Sequence, residues 1–208
     1  MTKIITTLSF FITTFLAVNA QQYEQGMGKA LEFWKEGKSI DALALLERIA
    51  LTEKDNWLPN YYIALISTNE AFNPSNKDKI NALLTKADEV LALELDKNPN
   101  NAELLLLQAM SKTALLASDP MTYGMTLSPK IAGIYARVSV IAPENPRVVF
   151  CKAEFEMGLA KWTGADVKKL CDDVEKSIGL FATFKNETPF YPRWGLDRAQ
   201  ANLKNCTK

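Results

Sequence analysis

The sequence predicts an all-α fold: a superhelix of stacked helical hairpins finished by a C-terminal capping helix. Three observations predict it. Apolar residues recur at three- and four-residue spacing along most of the chain, and no stretch alternates as a strand would. Asn56, Asn101 and Asn145 each stand just before such a stretch, at separations of 45 and 44 residues, and Asn is a preferred cap for the free N–H groups of a helix start. Eight residues beyond each cap comes a small residue, Ala64, Ala109 or Ala153, with Ala30 in the same place in the first unit. A cap and a small residue in phase mark a repeated hairpin, because small side chains let two helix backbones approach closely.

Taken in order, the chain opens on a targeting segment at residues 1–20. Lys3 supplies a positive start, Ile4 to Val18 is uncharged and largely apolar, and Val18-Asn19-Ala20 offers a cleavage site before Gln21. The competing reading is a retained anchor. The run is shorter than the ~20 residues a membrane-crossing helix needs and is interrupted by Thr6, Thr7, Thr13 and Thr14, which favours cleavage and argues against membrane insertion of the mature chain.

Residues 21–208 then read as one repeat domain, with repeats near 22–55, 56–99, 100–143 and 144–185 and a cap at 190–206. In the first unit the helical pattern runs from Ala30 to Leu51 and turns at Gly37. It resumes over Trp57 to Phe72, Ile80 to Leu95, Ala102 to Ala117, Ile131 to Ile141, Val148 to Leu159 and Val167 to Phe184. Helix-stop compositions separate these stretches: Asn73-Pro74-Ser75-Asn76, Asn98-Pro99-Asn100, Asp119-Pro120, Ser128-Pro129, Pro143 to Pro146, Gly164 and Pro189 to Pro192. Pro120 to Ser128, with Met121, Tyr123, Gly124 and Met125, reads as a long apolar link that covers an edge of the array or offers an adaptable contact. In the cap, Leu196 and Leu203 make an apolar stripe opposite Asp197, Arg198 and Lys204.

Composition narrows the function classes. Lys+Arg and Asp+Glu both number 24, so no net field draws the chain to nucleic acid. There is no His, which excludes Ser-His and Cys-His triads, His-bearing zinc motifs and imidazole proton shuttles. No catalytic residue, metal set or cofactor motif is assigned, and Gly26-Met27-Gly28 lacks the rest of any nucleotide fingerprint. Carboxylates remain: Glu32 with Glu36, and Asp172 with Glu175, share helical faces and would suit acid–base glycan cleavage. The plainer reading is a solvated face balanced by Lys35 and Lys176.

Three cysteines in an exported chain leave one over. With Val167 to Phe184 and Arg193 to Asn205 antiparallel about the Pro189 turn, Cys171 and Cys206 fall at similar heights, and Cys151 also comes near the level of Cys171. A Cys171–Cys206 bridge fastening the cap is the expectation; three buried or free thiols are the alternative.

Ala30-x-x-Phe33 with Ala42-x-x-x-Leu46, Ala87-x-x-x-Leu91 with Pro99, and the closing Pro143 resemble the tetratricopeptide repeat (TPR) pattern in divergent form. Trp57-Leu58-Pro59-x-Tyr61-Tyr62, Pro143 to Arg147 and Pro192-x-Trp194-Gly195 are similar to small exported repeat proteins of Gram-negative bacteria. The resemblance implies a periplasmic or secreted, non-enzymatic module that binds a protein or peptide on its concave face. Phased on the shared Ala, that face would comprise Trp34, Lys35, Leu58, Tyr61, Leu65, Asn69, Glu103, Leu106, Met110, Arg147, Phe150 and Glu154. The alternatives are a small-ligand carrier closed around an apolar cavity and a glycan-acting enzyme using paired carboxylates.

Overall fold

A computed structural model describes residues 21–206, so the expected export segment lies outside the described residues. Helix α1 occupies 21–35. It is followed by α2 (Ser39–Thr52), α3 (Leu58–Phe72), a 3-10 turn (Pro74–Lys79), α4 (Ile80–Lys97), α5 (Ala102–Ser118), α6 (Pro120–Ile141), α7 (Pro146–Thr163), α8 (Val167–Thr183) and α9 (Leu196–Cys206). Among the described residues there is no strand.

The chain reverses between α1 and α2 at Gly37, whose φ of +77° is open to glycine without a Cβ clash. The N–H of Gly37 reaches the Trp34 carbonyl at 2.9 Å and the N–H of Lys38 that of Phe33 at 2.9 Å, the paired bonds of a Schellman stop. The three repeated asparagines do the same local work. Asn56 Oδ1 accepts from the Leu58 N–H at 3.1 Å, Asn101 Oδ1 from Glu103 at 3.0 Å, and Asn145 Oδ1 from Arg147 at 3.0 Å. Each holds the donor two residues on; Asn101 and Asn145 directly precede α5 and α7, whereas Asn56 stands one residue further from α3, before Trp57.

Those three helices form the inner layer. Helix α3 packs on α4 and α5, α5 on α6 and α7, and α7 on α8, with α9 laid against α8. Ala30, Ala64, Ala109 and Ala153 are all buried in one continuous core. Helix α3 is buried without a break from Leu58 to Thr68, as expected of a helix covered on every side.

Residues 120–128 are the first departure from expectation. They are the opening turns of α6, not a link. Pro120 occupies the first turn, where its missing N–H costs nothing, and Asp119 Oδ1 accepts from the Thr122 N–H at 3.1 Å. Pro129 sits inside the helix with Met125, four residues back, exposed, so the carbonyl that loses its partner lies on the wet side.

Candidate functional site

The second departure concerns the concave face. Leu58, Tyr61, Leu65, Glu103, Leu106, Met110, Arg147 and Phe150 are buried, and so do not form an open strip for a partner. Trp34, Asn69 and Glu154 are partly covered, and Lys35 is exposed. The physical reason is that the chain returns over its own groove.

Residues 184–195, between α8 and α9, carry the covering side chains. Tyr62 Oη donates to the Phe190 carbonyl at 2.8 Å, and Trp194 Nε1 donates to Tyr61 Oη at 2.8 Å. The Phe190 ring meets Tyr23 edge-on at 5.9 Å, and Tyr191 meets Trp57 at 6.0 Å. Phe190 has a φ of +59°, uncommon for a residue with a side chain. Helix α9 covers the next stretch: Arg198 pairs with Glu154 and lies over the Phe150 ring at 5.4 Å, and Asn202 Nδ2 donates to Glu154 Oε1 at 3.1 Å.

At the centre stands a buried ion pair between neighbouring repeats. Glu103 and Arg147 hold equivalent positions, each two residues after its capping Asn. Arg147 Nη2 donates to Glu103 Oε1 at 2.6 Å and Nε to Oε2 at 3.0 Å; Asn145 Nδ2 at 2.6 Å and Tyr191 Oη at 3.2 Å donate to the same Oε1. Burial opposes the Arg147 charge, but the hydrogen bonds and charge of Glu103 outweigh it and raise its pKa. The tyrosines around the pair respond to burial chiefly: Tyr61 and Tyr191 titrate above the ordinary range, and Tyr62 is pushed up to about 12.

Arg147 also borders a pocket of about 420 Å³ that opens to solvent, within the ~300–1,000 Å³ of small-molecule sites. Its guanidinium lies 5.1 Å from the Phe184 ring centre and 5.7 Å from that of Tyr191. Phe181, Lys185, Glu187 and Arg193 complete most of the wall. The Arg147 charge is already taken by Glu103, so the exposed charges of the wall are Lys185 and Arg193, with Glu187 opposing them; aromatic rings beside two exposed cations suit a flat molecule carrying acidic groups. Of the residues phased onto the concave face, only Arg147 lines this pocket; Pro192 and Leu196, read in sequence as parts of the cap, line it as well. The others were hidden by their position in a segment that reads as a plain structural cap; the signal was the density of aromatic and basic residues from Phe181 to Trp194.

No protein-family model matches the sequence, and no curated protein matches it. Among solved structures the chain is similar to a thermophilic TPR protein from Thermus thermophilus, with a TM-score of 0.59 at 10% identity over 89% of this chain and 98% of that one. The fold is TPR-like. This TPR-like chain is also similar to the HusA haemophore from Porphyromonas gingivalis, with a TM-score of 0.78 at 24% identity over 90% of this chain and 92% of that one.

The remaining sequence candidates separate cleanly. Glu32 is salt-bridged to Lys29 at 3.2 Å and Glu36 to Lys38 at 2.8 Å, all on the exposed surface. The hydrogen bond and charge of Lys38 lower the Glu36 pKa, the direction opposite to that of a general acid. Cys171 and Cys206 are joined by a disulfide with Cα atoms 5.8 Å apart, and Cys151 is buried and free. Among the described residues no group of three or more acidic or Cys side chains could hold a metal ion, and no helix is long and apolar enough to cross a membrane.

Proposed function

We propose that the protein is an exported, non-enzymatic carrier that holds a flat aromatic molecule bearing carboxylates, of the tetrapyrrole class, in the pocket beside Arg147. The observation that carries the reading is the pocket wall itself: Phe184 and Tyr191 rings against the Arg147 guanidinium, with Lys185 and Arg193 at the rim. The rings supply apolar contact, and the cations match the acidic edge. The likeness to a haemophore supports the choice of ligand class. The disulfide supports an oxidising compartment.

The test is titration of the purified mature chain with metal-free protoporphyrin IX, followed by quenching of tryptophan emission. Saturable one-to-one binding is expected, weakened at least tenfold by the pair Lys185→Glu and Arg193→Glu with helicity unchanged. Absence of saturable binding would overturn the reading.

A second reading, a protein-binding scaffold, is favoured by the outer face of α6. Met121 and Met125 are 88% and 93% exposed, and Val140 is 83% exposed. Flexible methionines on a free helix face suit an adaptable protein contact. Met121→Glu with Met125→Glu should abolish capture of a protein partner and leave porphyrin binding intact; retention of the partner by that variant counts against this reading.

A further inference from the structure

We propose that the outer face of α6 is a dimer interface, and that the partner it takes is a second copy of this chain packed antiparallel. The inference rests on the second reading above and names the partner for that surface.

The other outer helices meet solvent with charge. Asp88, Glu89 and Asp96 are exposed on α4, and Lys168, Asp172 and Glu175 on α8, as expected of faces that stay wet. Helix α6 differs. Its exposed positions Met121, Met125, Pro129, Ala132, Ala136 and Val140 recur at three- and four-residue spacing, so they line one side of a 22-residue helix, and none is charged. The two exposed charges of α6 lie off this strip. Arg137 is turned back onto its own chain, with Nη2 donating to the Pro99 carbonyl at 2.7 Å and to Asn100 Oδ1 at 3.0 Å. Lys130 stands half a turn round the helix from Met121.

Gly133, at the edge of the strip, is an independent sign of a close neighbour. A Cβ built there would meet nothing within 4 Å, so packing within the single chain does not require a glycine. Glycine weakens a helix interior relative to alanine, and what it permits is close approach of another backbone.

The order of sizes along the strip says what approaches. Met121, Met125 and Pro129 stand in the N-terminal half, and Ala132, Ala136 and Val140 in the C-terminal half. A reversed copy of α6 sets Met125 opposite Ala136, Pro129 opposite Ala132 and Met121 opposite Val140. All three pairs are centred on one point, between Lys130 and Ile131. A twofold interface demands this self-matching, in which each residue meets the counterpart of its own partner. A parallel copy would set Met on Met and Ala on Ala, with crowding at one end and a gap at the other. Lipid is a poorer occupant, because α6 has no Trp and a single Lys, whereas helices that lie on membranes are rich in both. The strip is ~33 Å long and one helix wide, which is less than the ~800 Å² per partner of a standard interface. The pair is therefore reversible.

The experiment is sedimentation velocity of the full mature chain from nanomolar to high micromolar concentration. A monomer–dimer equilibrium is expected. Ala132→Glu should weaken it at least a hundredfold, and Gly133→Leu, whose side chain has room in the single chain, at least tenfold, with far-UV circular dichroism unchanged. Register is read by oxidative cross-linking, for which the buried Cys151 is silent. Ala132→Cys should cross-link to itself, and Met125→Cys should cross-link to Ala136→Cys in a mixture but not to itself. A chain monomeric throughout, a dimer that survives both Ala132→Glu and Gly133→Leu, or Met125→Cys pairing with itself would each overturn the proposal. A monomeric chain that still captures a different protein, and loses it with Met121→Glu and Met125→Glu, would uphold the second reading and refute this one.

Discussion

Arg147 and Glu103 face each other across two adjacent repeats, Nη2 to Oε1 at 2.6 Å, with both side chains 1% exposed. They come 44 residues apart in sequence and from matching places after Asn101 and Asn145. Removing one partner strands the other charge where water cannot reach it.

Glu103→Leu should therefore destabilise the protein by about 3–5 kcal/mol, as broken buried pairs do. Adding Arg147→Met should recover much of the loss. Urea unfolding of the single and double variants checks this, and a double variant no more stable than the single would refute it.

Alkaline pH should destabilise the protein through its buried tyrosines. Burial raises the pKa of Tyr62 to about 12 and shifts Tyr61, Tyr135 and Tyr191 in the same direction. A raised folded value means that the folded state holds its proton more tightly. The stability this confers is complete below the ordinary value near 10 and is lost as pH climbs through about 12. Thermal melts at pH 9 and 11 should differ markedly, and Tyr62→Phe should flatten the decline.

Cys151 should be inert in the native protein. It is 2% exposed, and burial pushes its thiol up to about 12. Alkylation by iodoacetamide should fail under native conditions and modify one thiol per chain after unfolding without reduction. Rapid native labelling would contradict the packing.

Gly195→Ala should loosen the end of the chain. Its φ is +113°, and a Cβ there would stand 2.9 Å from Phe181 Cζ. Left-handed strain and the clash together should cost about 1–3 kcal/mol and weaken porphyrin binding, because Phe181 lines the pocket. Wild-type stability in the variant would argue against this.

The parts of the fold legible in the sequence are those written locally. Asn56, Asn101 and Asn145 announce helix starts because a cap acts on a donor two residues away, and the buried alanines announce close helix contact. Residues 120–128 misled because Pro, Gly and Ser signal breaks, whereas Asp119 and Pro120 together initiate α6. The groove misled for a different reason. Whether Tyr61 or Glu103 meets solvent depends on Trp194 and Tyr191, more than 80 residues on in sequence, and no periodicity in α3 or α5 records that covering. Phasing did bring Glu103 and Arg147 to one face, but it could not show that they neutralise each other.

Because the pocket borrows just Arg147 and Phe181 from helices α7 and α8, most of its chemistry lies on a stretch of chain apart from the stacked helices. Descendants could exchange one cargo for another by rewriting exposed positions such as Lys185, Glu187 and Arg193, while Tyr191 and Trp194, which also cover Glu103 and Tyr61, stay fixed. The tail is where natural variation in this lineage should concentrate.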